Sequence, residues 1–202
     1  PRLTDSSVLF ALGVALSWTM AALVSHQPAT ELGSLHFNRV RMIVATLIMG
    51  TLLIVSGRPA AIPPEFWLPI MLSAVTGVVL GDFFLFVTMR RLGPRRTNVL
   101  FATNAVFAAI IGWVILGEVV SARTAMAVLL GFGGVVLAVV FGKRRDLLHK
   151  WESVMPPLWI GVVAGLLAAI CQAFGVVFAR PVMAAGVDPV AVTLARAVVG
   201  AA

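Results

Sequence analysis

Between Gly77 and Glu118 two long apolar runs are joined only by the short basic turn MRRLGPRR, with one carboxylate, Asp82, inside the first run and another, Glu118, ending the second. Apolar runs of roughly 20 residues match the length an α-helix needs to cross about 30 Å of hydrocarbon, whereas a membrane barrel shows alternating runs of about 10. Blocks of that length recur along all 202 residues, which are 60% hydrophobic and 11% charged, with a mean hydropathy of +1.05. With no water in the bilayer core, each span must satisfy its own backbone, and helices do so. The expected fold class is therefore all-α, a polytopic helical membrane protein whose first partner is the lipid bilayer.

Several function classes drop out. The net charge of +7 sits in the joints between apolar runs and not on an aromatic-interleaved face, so it marks topology and not nucleic-acid binding. A single cysteine, Cys171, supplies neither a disulfide framework nor a cysteine-rich metal site, and no cofactor or metal is expected. The chain has no G-x-S-x-G, no H-E-x-x-H and no paired cysteines, and His26 and His36 lie near one membrane edge, remote from Asp82, so an enzyme is not expected.

In chain order, the first span covers about Ser7 to Ser25, with Ser17 and Trp18 near its middle and Gly13, Ser17 and Ala21 on a small-residue repeat. Ser17 and Trp18 either line a cavity or serve packing. A joint broken by Pro28 and Gly33 leads to the second span, about Phe37 to Val55, whose Arg41 either snorkels to the interface or binds an anion. The third, about Phe66 to Met89, carries the close-packing pair Gly77 and Gly81 and then Asp82, about 12 Å below the basic turn. A carboxylate at that depth is costly unless paired, neutral or facing water, and such residues mark solute paths or proton sites.

The fourth span, about Thr97 to Gly117, opens with Asn98, Thr103 and Asn104, residues that face either a polar cavity or a neighbouring helix. Glu118 then sits at an interface. Ser121 caps the fifth span, which holds Gly131, Gly133 and Gly134 as a further close-packing face and ends near Phe141. The sixth, about Leu158 to Ala179, has Gly161, Gly165 and Ala169 on a four-residue repeat and Gln172 as its polar interruption. The last apolar run is too short to cross, as in a chain cut inside its seventh span. Three segments result: 1–142 as a five-helix unit, 143–156 as a basic linker that would attract anionic lipid, and 157–202 as the start of a second unit.

An internal repeat runs through these segments. Arg196 stands as far beyond Arg41 as Gln172 stands beyond Ser17, so each half opens with a mid-span polar residue and enters its second span through an arginine. Five spans separate the copies, which inserts the second upside down, as in transporters built of inverted repeats.

At this point the chain resembles the drug/metabolite transporter superfamily, EamA type. The resemblance rests on FNRVRMIVA with Arg41, on NAVFAAIIGWVILGE with its Gly117-Glu118 ending, on SARTAMAVLLGFGGVVLAVV, and on the restart at Leu158 that brings in Arg196. It implies inverted five-helix repeats, here the first repeat plus the start of the second, and a transporter exporting or exchanging small amino-acid-like or drug-like metabolites through a central cavity. Two departures stand out. Ala105 occupies a position where members commonly have proline, and the positive-inside count differs. Arg39, Arg90, Arg91, Arg95, Arg96, Lys143, Arg144, Arg145 and Lys150 lie on one side against Arg2, Arg58, Arg123 and Arg180 on the other, which puts the N-terminus outside.

The expectation is a secondary transporter working by alternating access in the cell membrane, in a bacterium the inner membrane. Asp82, Ser17, Trp18 and Gln172 are the chosen cavity lining, and Asp82 would carry the coupling proton if there is one. A seven-helix receptor or regulatory membrane protein is the alternative. Substrate identity and oligomeric state do not follow from these residues.

Overall fold

The computed structural model describes residues 5–57, 61–117, 121–140 and 155–202. Among them there is no strand; the elements are α1 (Asp5–Leu32), α2 (Ser34–Ser56), α3 (Trp67–Ser73), α4 (Asp82–Phe101), α5 (Asn104–Leu116), α6 (Ala122–Val140), α7 (Leu158–Ala184) and α8 (Pro189–Ala201). A 3-10 turn at Pro64–Phe66 leads into α3, and a π-helical segment, Ala74–Gly81, joins α3 to α4. The helical runs Ser34–Ser56, Pro64–Phe101 and Leu158–Ala184 are long and apolar enough to cross a membrane. Asn104–Leu116, Ala125–Gly134 and Pro189–Ala201 are shorter apolar helices. Large apolar side chains point outward, Ile54 being 82% and Val55 79% exposed. That inverted surface suits a helix bathed in lipid.

The basic turn reverses the chain at one residue. Gly93 has φ 78° and ψ 165°, a left-handed backbone that only glycine takes without cost, and it divides α4 into two helices across a kink with Pro94 starting the second. Pro28 behaves otherwise. The sequence marks it as a breaker, yet α1 runs through it to Leu32 and the chain breaks at Gly33 alone. A proline inside a helix loses one backbone hydrogen bond. Around it, Gln27 Nε2 donates to Glu31 Oε1 at 3.0 Å and the Thr30 hydroxyl to the His26 carbonyl at 2.8 Å, both one turn apart.

Helix α7 lies at the centre, packed against α3, the π segment, α4 and α5, while α2 packs on α8 and α1 on α4. Its glycines set the approach. A Cβ on Gly161 would meet the Leu92 side chain at 2.7 Å and one on Gly165 would meet Leu100 at 2.9 Å. At Gly175 the obstacle would be backbone, the Gly77 Cα at 2.6 Å. The Ser73 hydroxyl donates to the Gly175 carbonyl at 2.5 Å, a polar latch at the same crossing. Apolar clusters fill in on either side: Ile70, Val182 and Val192 near one end, and Leu85, Phe101 and Ala168 further along. Among the described residues, and apart from the neighbouring backbone of α6 itself, nothing lies within 4 Å of a Cβ on Gly131, Gly133 or Gly134.

Helix α8 is started by Asp188, whose Oδ1 accepts from the backbone N–H groups of Val190 (2.8 Å) and Ala191 (3.2 Å), with Pro189 at the first helical position.

Three outcomes follow from this packing and capping. Gly175→Ala should lower the thermal midpoint in detergent by the equivalent of about 1–3 kcal/mol, since backbone cannot rotate aside as a side chain can. Gly131→Ala should leave it unchanged or raise it, helix propensity favouring alanine by up to about 1 kcal/mol; equal losses at both sites would contradict the crossing described. Asp188→Ala should cost about 1 kcal/mol, and amide hydrogen exchange should quicken in the first turn of α8 and not in α7.

Candidate functional site

Asp82 stands at the junction of the π segment and α4, about 16 Å before the Gly93 break at 1.5 Å per residue, and is 4% exposed. Four elements meet around it. From α2 comes Arg41, whose Nη2 forms an ion pair with Asp82 Oδ2. From α7 comes Gln172, whose Nε2 donates to Asp82 Oδ1 at 3.1 Å. The two carboxylate oxygens therefore have different partners on different helices. From α8 comes Arg196, whose Nη2 would lie 3.0 Å from a Cβ on Gly77, a point that Gln172 Oε1 also approaches at 3.3 Å.

Arg41 is held from several sides. Its Nη2 also donates to Asn38 Oδ1 at 3.2 Å, and its guanidinium carbon sits 5.2 Å from the centre of the Phe86 ring. Asn38 in turn donates from Nδ2 to the Val78 carbonyl at 3.1 Å, inside the π segment. A guanidinium fixed by a carboxylate, an amide oxygen and an aromatic face is an oriented cation and not a snorkelling one. The sequence leaves Arg41 either at the interface or binding an anion; the structure turns it inward because Asp82 offers a partner that only the folded chain brings near.

The other residues singled out from sequence are distributed as follows. Asp82, Gln172, Arg41 and Arg196 come together, and Gly77 and Gly81 form the floor beneath them, a Cβ on Gly81 meeting Gln172 Cγ at 3.1 Å. Ser17 and Trp18 lie elsewhere, on α1, where with Leu9, Gly13, Val14 and Ala21 they line an open hollow of about 540 Å³ that holds no charged group. Trp18 also stacks on Phe101, ring centres 5.4 Å apart. Asn98 and Asn104 are half-buried where the fourth span turns at Thr103, with the Asn98 carbonyl accepting from the Ala102 N–H at 3.0 Å. Gly161 and Gly165 pack on Leu92 and Leu100. Gly117 ends α5. Glu118 and most of the 143–156 linker lie outside the described residues.

Asn38 and Phe86 were not singled out from sequence. Asn38 precedes Arg41 by three residues, the spacing at which helical side chains meet, and Phe86 follows Asp82 by four. Those spacings were the available signal.

The arrangement has definite chemical capacity. Arginine stays charged in proteins, so Arg41 and Arg196 contribute two positive charges against at most one negative from Asp82. Among the described residues no group of histidine, cysteine, aspartate and glutamate is placed to hold a metal ion.

Comparison with known proteins agrees with a transport chemistry. A Drosophila melanogaster protein named solute carrier family 35 member B1 homolog is 28% identical over 51% of this chain and 32% of its own length. The S-adenosylmethionine/S-adenosylhomocysteine transporter of Chlamydia trachomatis is 23% identical over 83% of this chain and 50% of its own length. Its Chlamydia muridarum counterpart is 24% identical over 77% and 49%. The chain thus spans between a third and a half of the length of these relatives. No solved structure matches it significantly. The EamA-like transporter family matches residues 5–140, two thirds of the chain, and with its all-helical apolar spans and buried charge cluster the chain belongs to that family of membrane transporters.

Proposed function

We propose that this chain forms part of a secondary transporter that exports or exchanges a small metabolite by alternating access, with the Asp82 cluster lining the solute path. The observation that carries the reading is the charge cluster itself. Ionisable groups inside an apolar helix assembly are expensive and, where they occur, mark substrate and ion paths. Here three of them, Arg41, Asp82 and Arg196, come from separate elements and a fourth element adds Gln172, so any rearrangement of those helices alters the cluster. The family assignment and the transporter relatives support the same reading, and the relatives make an adenosylated amino acid the first solute to try.

In this proposal 1–142 is one five-helix repeat, 143–156 a linker and 157–202 the opening of an inverted second repeat, with the N-terminus outside the cell membrane. Asp82 is the site of a coupling proton. Its ionised carboxylate holds Arg41 on one oxygen and Gln172 on the other; a proton on Oδ2 would remove the charge that fixes Arg41 and free α2 from α4. The smooth contact of glycines along α7 suits sliding of packed helices, one of the ways in which transporters move.

The test is flux. In proteoliposomes preloaded with S-adenosylhomocysteine, the protein should take up labelled S-adenosylmethionine, and an imposed proton gradient should change the rate. Asp82→Asn, purified in the same monodisperse form, should lose about tenfold or more of the gradient-driven flux. Wild-type flux in that variant would remove Asp82 from the path, and indifference of the wild type to the gradient would remove the proton.

A further inference from the structure

We infer that Arg196 is the docking point for an oxyanion, a carboxylate or phosphate carried by the transported solute. The inference deepens the transporter reading, on which the word solute rests. It begins from charge. Asp82 is the buried carboxylate of this region, and both of its oxygens are occupied, Oδ2 by Arg41 and Oδ1 by Gln172. Arg196 feels Asp82 through space but forms no ion pair with it. Its Nε, like that of Arg41, is buried and has no hydrogen-bond partner among the described residues. Among the described residues, Asp188 caps the far end of α8 and Glu31 bonds Gln27.

A half-buried guanidinium without an ion pair is unfavourable, and its buried, unsatisfied Nε donor adds to that cost. With Asp82 ionised the cluster is positive by one charge, and with Asp82 neutral by two. In either state an anion completes it. The chemistry selects an oxyanion, because the planar guanidinium fork presents parallel N–H donors that match the two oxygens of a carboxylate or phosphate. The ground beside Gly77 is closed, a Cβ there lying 3.0–3.3 Å from Arg196 Nη2, the Gly175 Cα and Gln172 Oε1, so an anion meets Arg196 on the part of its side chain that remains exposed. Arg41 is the positioning arginine, fixing Asp82, and Arg196 is the binding one.

The two arginines therefore behave oppositely when removed. Arg41→Gln strands the Asp82 carboxylate with Gln172 alone and should lower the thermal midpoint of the ligand-free protein. Arg196→Gln removes a charge that Asp82 offsets only through space and without an ion pair, and should leave that midpoint unchanged or raise it.

The experiment is a thermal-shift titration of the purified protein in neutral detergent at constant ionic strength, with sodium acetate, sodium phosphate and sodium chloride as probes. Wild type should be stabilised by acetate or phosphate beyond chloride. The apparent affinity should fall about tenfold or more in Arg196→Gln, as loss of a charge-assisted hydrogen bond implies. Arg196→Lys should recover part of it, since a point charge lacks the fork. Acetate and phosphate, compared directly, separate a carboxylate from a phosphate. An oxyanion response undiminished in Arg196→Gln overturns the inference, as does stabilisation by added phosphatidylglycerol with none by either free oxyanion. Binding is read here without flux. Oxyanion binding through Arg196 in a protein that moves no solute would sink the transporter reading alone, whereas full flux with no Arg196 dependence would sink this one alone.

Discussion

Backbone against backbone, at Gly77 and Gly175, is the contact on which the rest of this structure depends. Lipid tails are as apolar as leucine, so helices in a membrane gain little from hiding apolar side chains and instead hold together by close packing and hydrogen bonds. Removing the side chain from both sides of one crossing brings α7 onto the π segment, and the Ser73 hydroxyl fastens it there. Gln172 stands one turn earlier on α7 and arrives beside Asp82 as a result. The polar cluster is thus a product of the glycine crossing and not its cause.

The cluster is also asymmetric. Arg41 and Arg196 occupy corresponding places in the two halves of the sequence pattern, yet only Arg41 is paired with Asp82. Each keeps a buried Nε without a partner among the described residues, but Arg41 is bonded through Nη2 to Asp82 and Asn38 and lies against Phe86, while Arg196 has no ion pair with Asp82. One carboxylate between two fixed cations is an arrangement that additional negative charge improves.

Much of this was legible in the sequence, for physical reasons that also explain what was not. Apolar run length and the four-residue spacing of glycines are local properties, and they marked the apolar helices, although Pro64–Phe101 is one helical run where a third span to Met89 and a fourth from Thr97 were expected; Gly77, Gly81, Gly161 and Gly165 lie at close contacts. Asp82 stood out because a carboxylate is anomalous in an apolar run whatever surrounds it. Gln172 stood out in the same way. Arg41 could not be assigned a partner, because the choice between the membrane edge and Asp82 depends on how α2 packs on α4, and nothing near Arg41 in the chain records that. Ser17 and Trp18 met the same test of polarity and lie instead on α1, with Trp18 stacked on Phe101. A hydroxyl and an indole are cheap enough to sit in many places. Pro28 was overread: proline weakens a helix interior without always ending it, and membrane helices tolerate it when nearby groups compensate.

The π-helical segment carries a consequence in angular terms. In an unbroken α-helix successive residues turn by about 100°, so the nine steps from Ser73 to Asp82 would set the two on opposite sides of the rod. In the wider π winding each residue turns through less, and over Ala74–Gly81 the shortfall accumulates to roughly half a revolution. Ser73 bonds Gly175 and Asp82 bonds Gln172, both on α7, so the two do share a face. A helical wheel drawn on this stretch would place the charge in lipid; the change of winding is what rotates it into the protein.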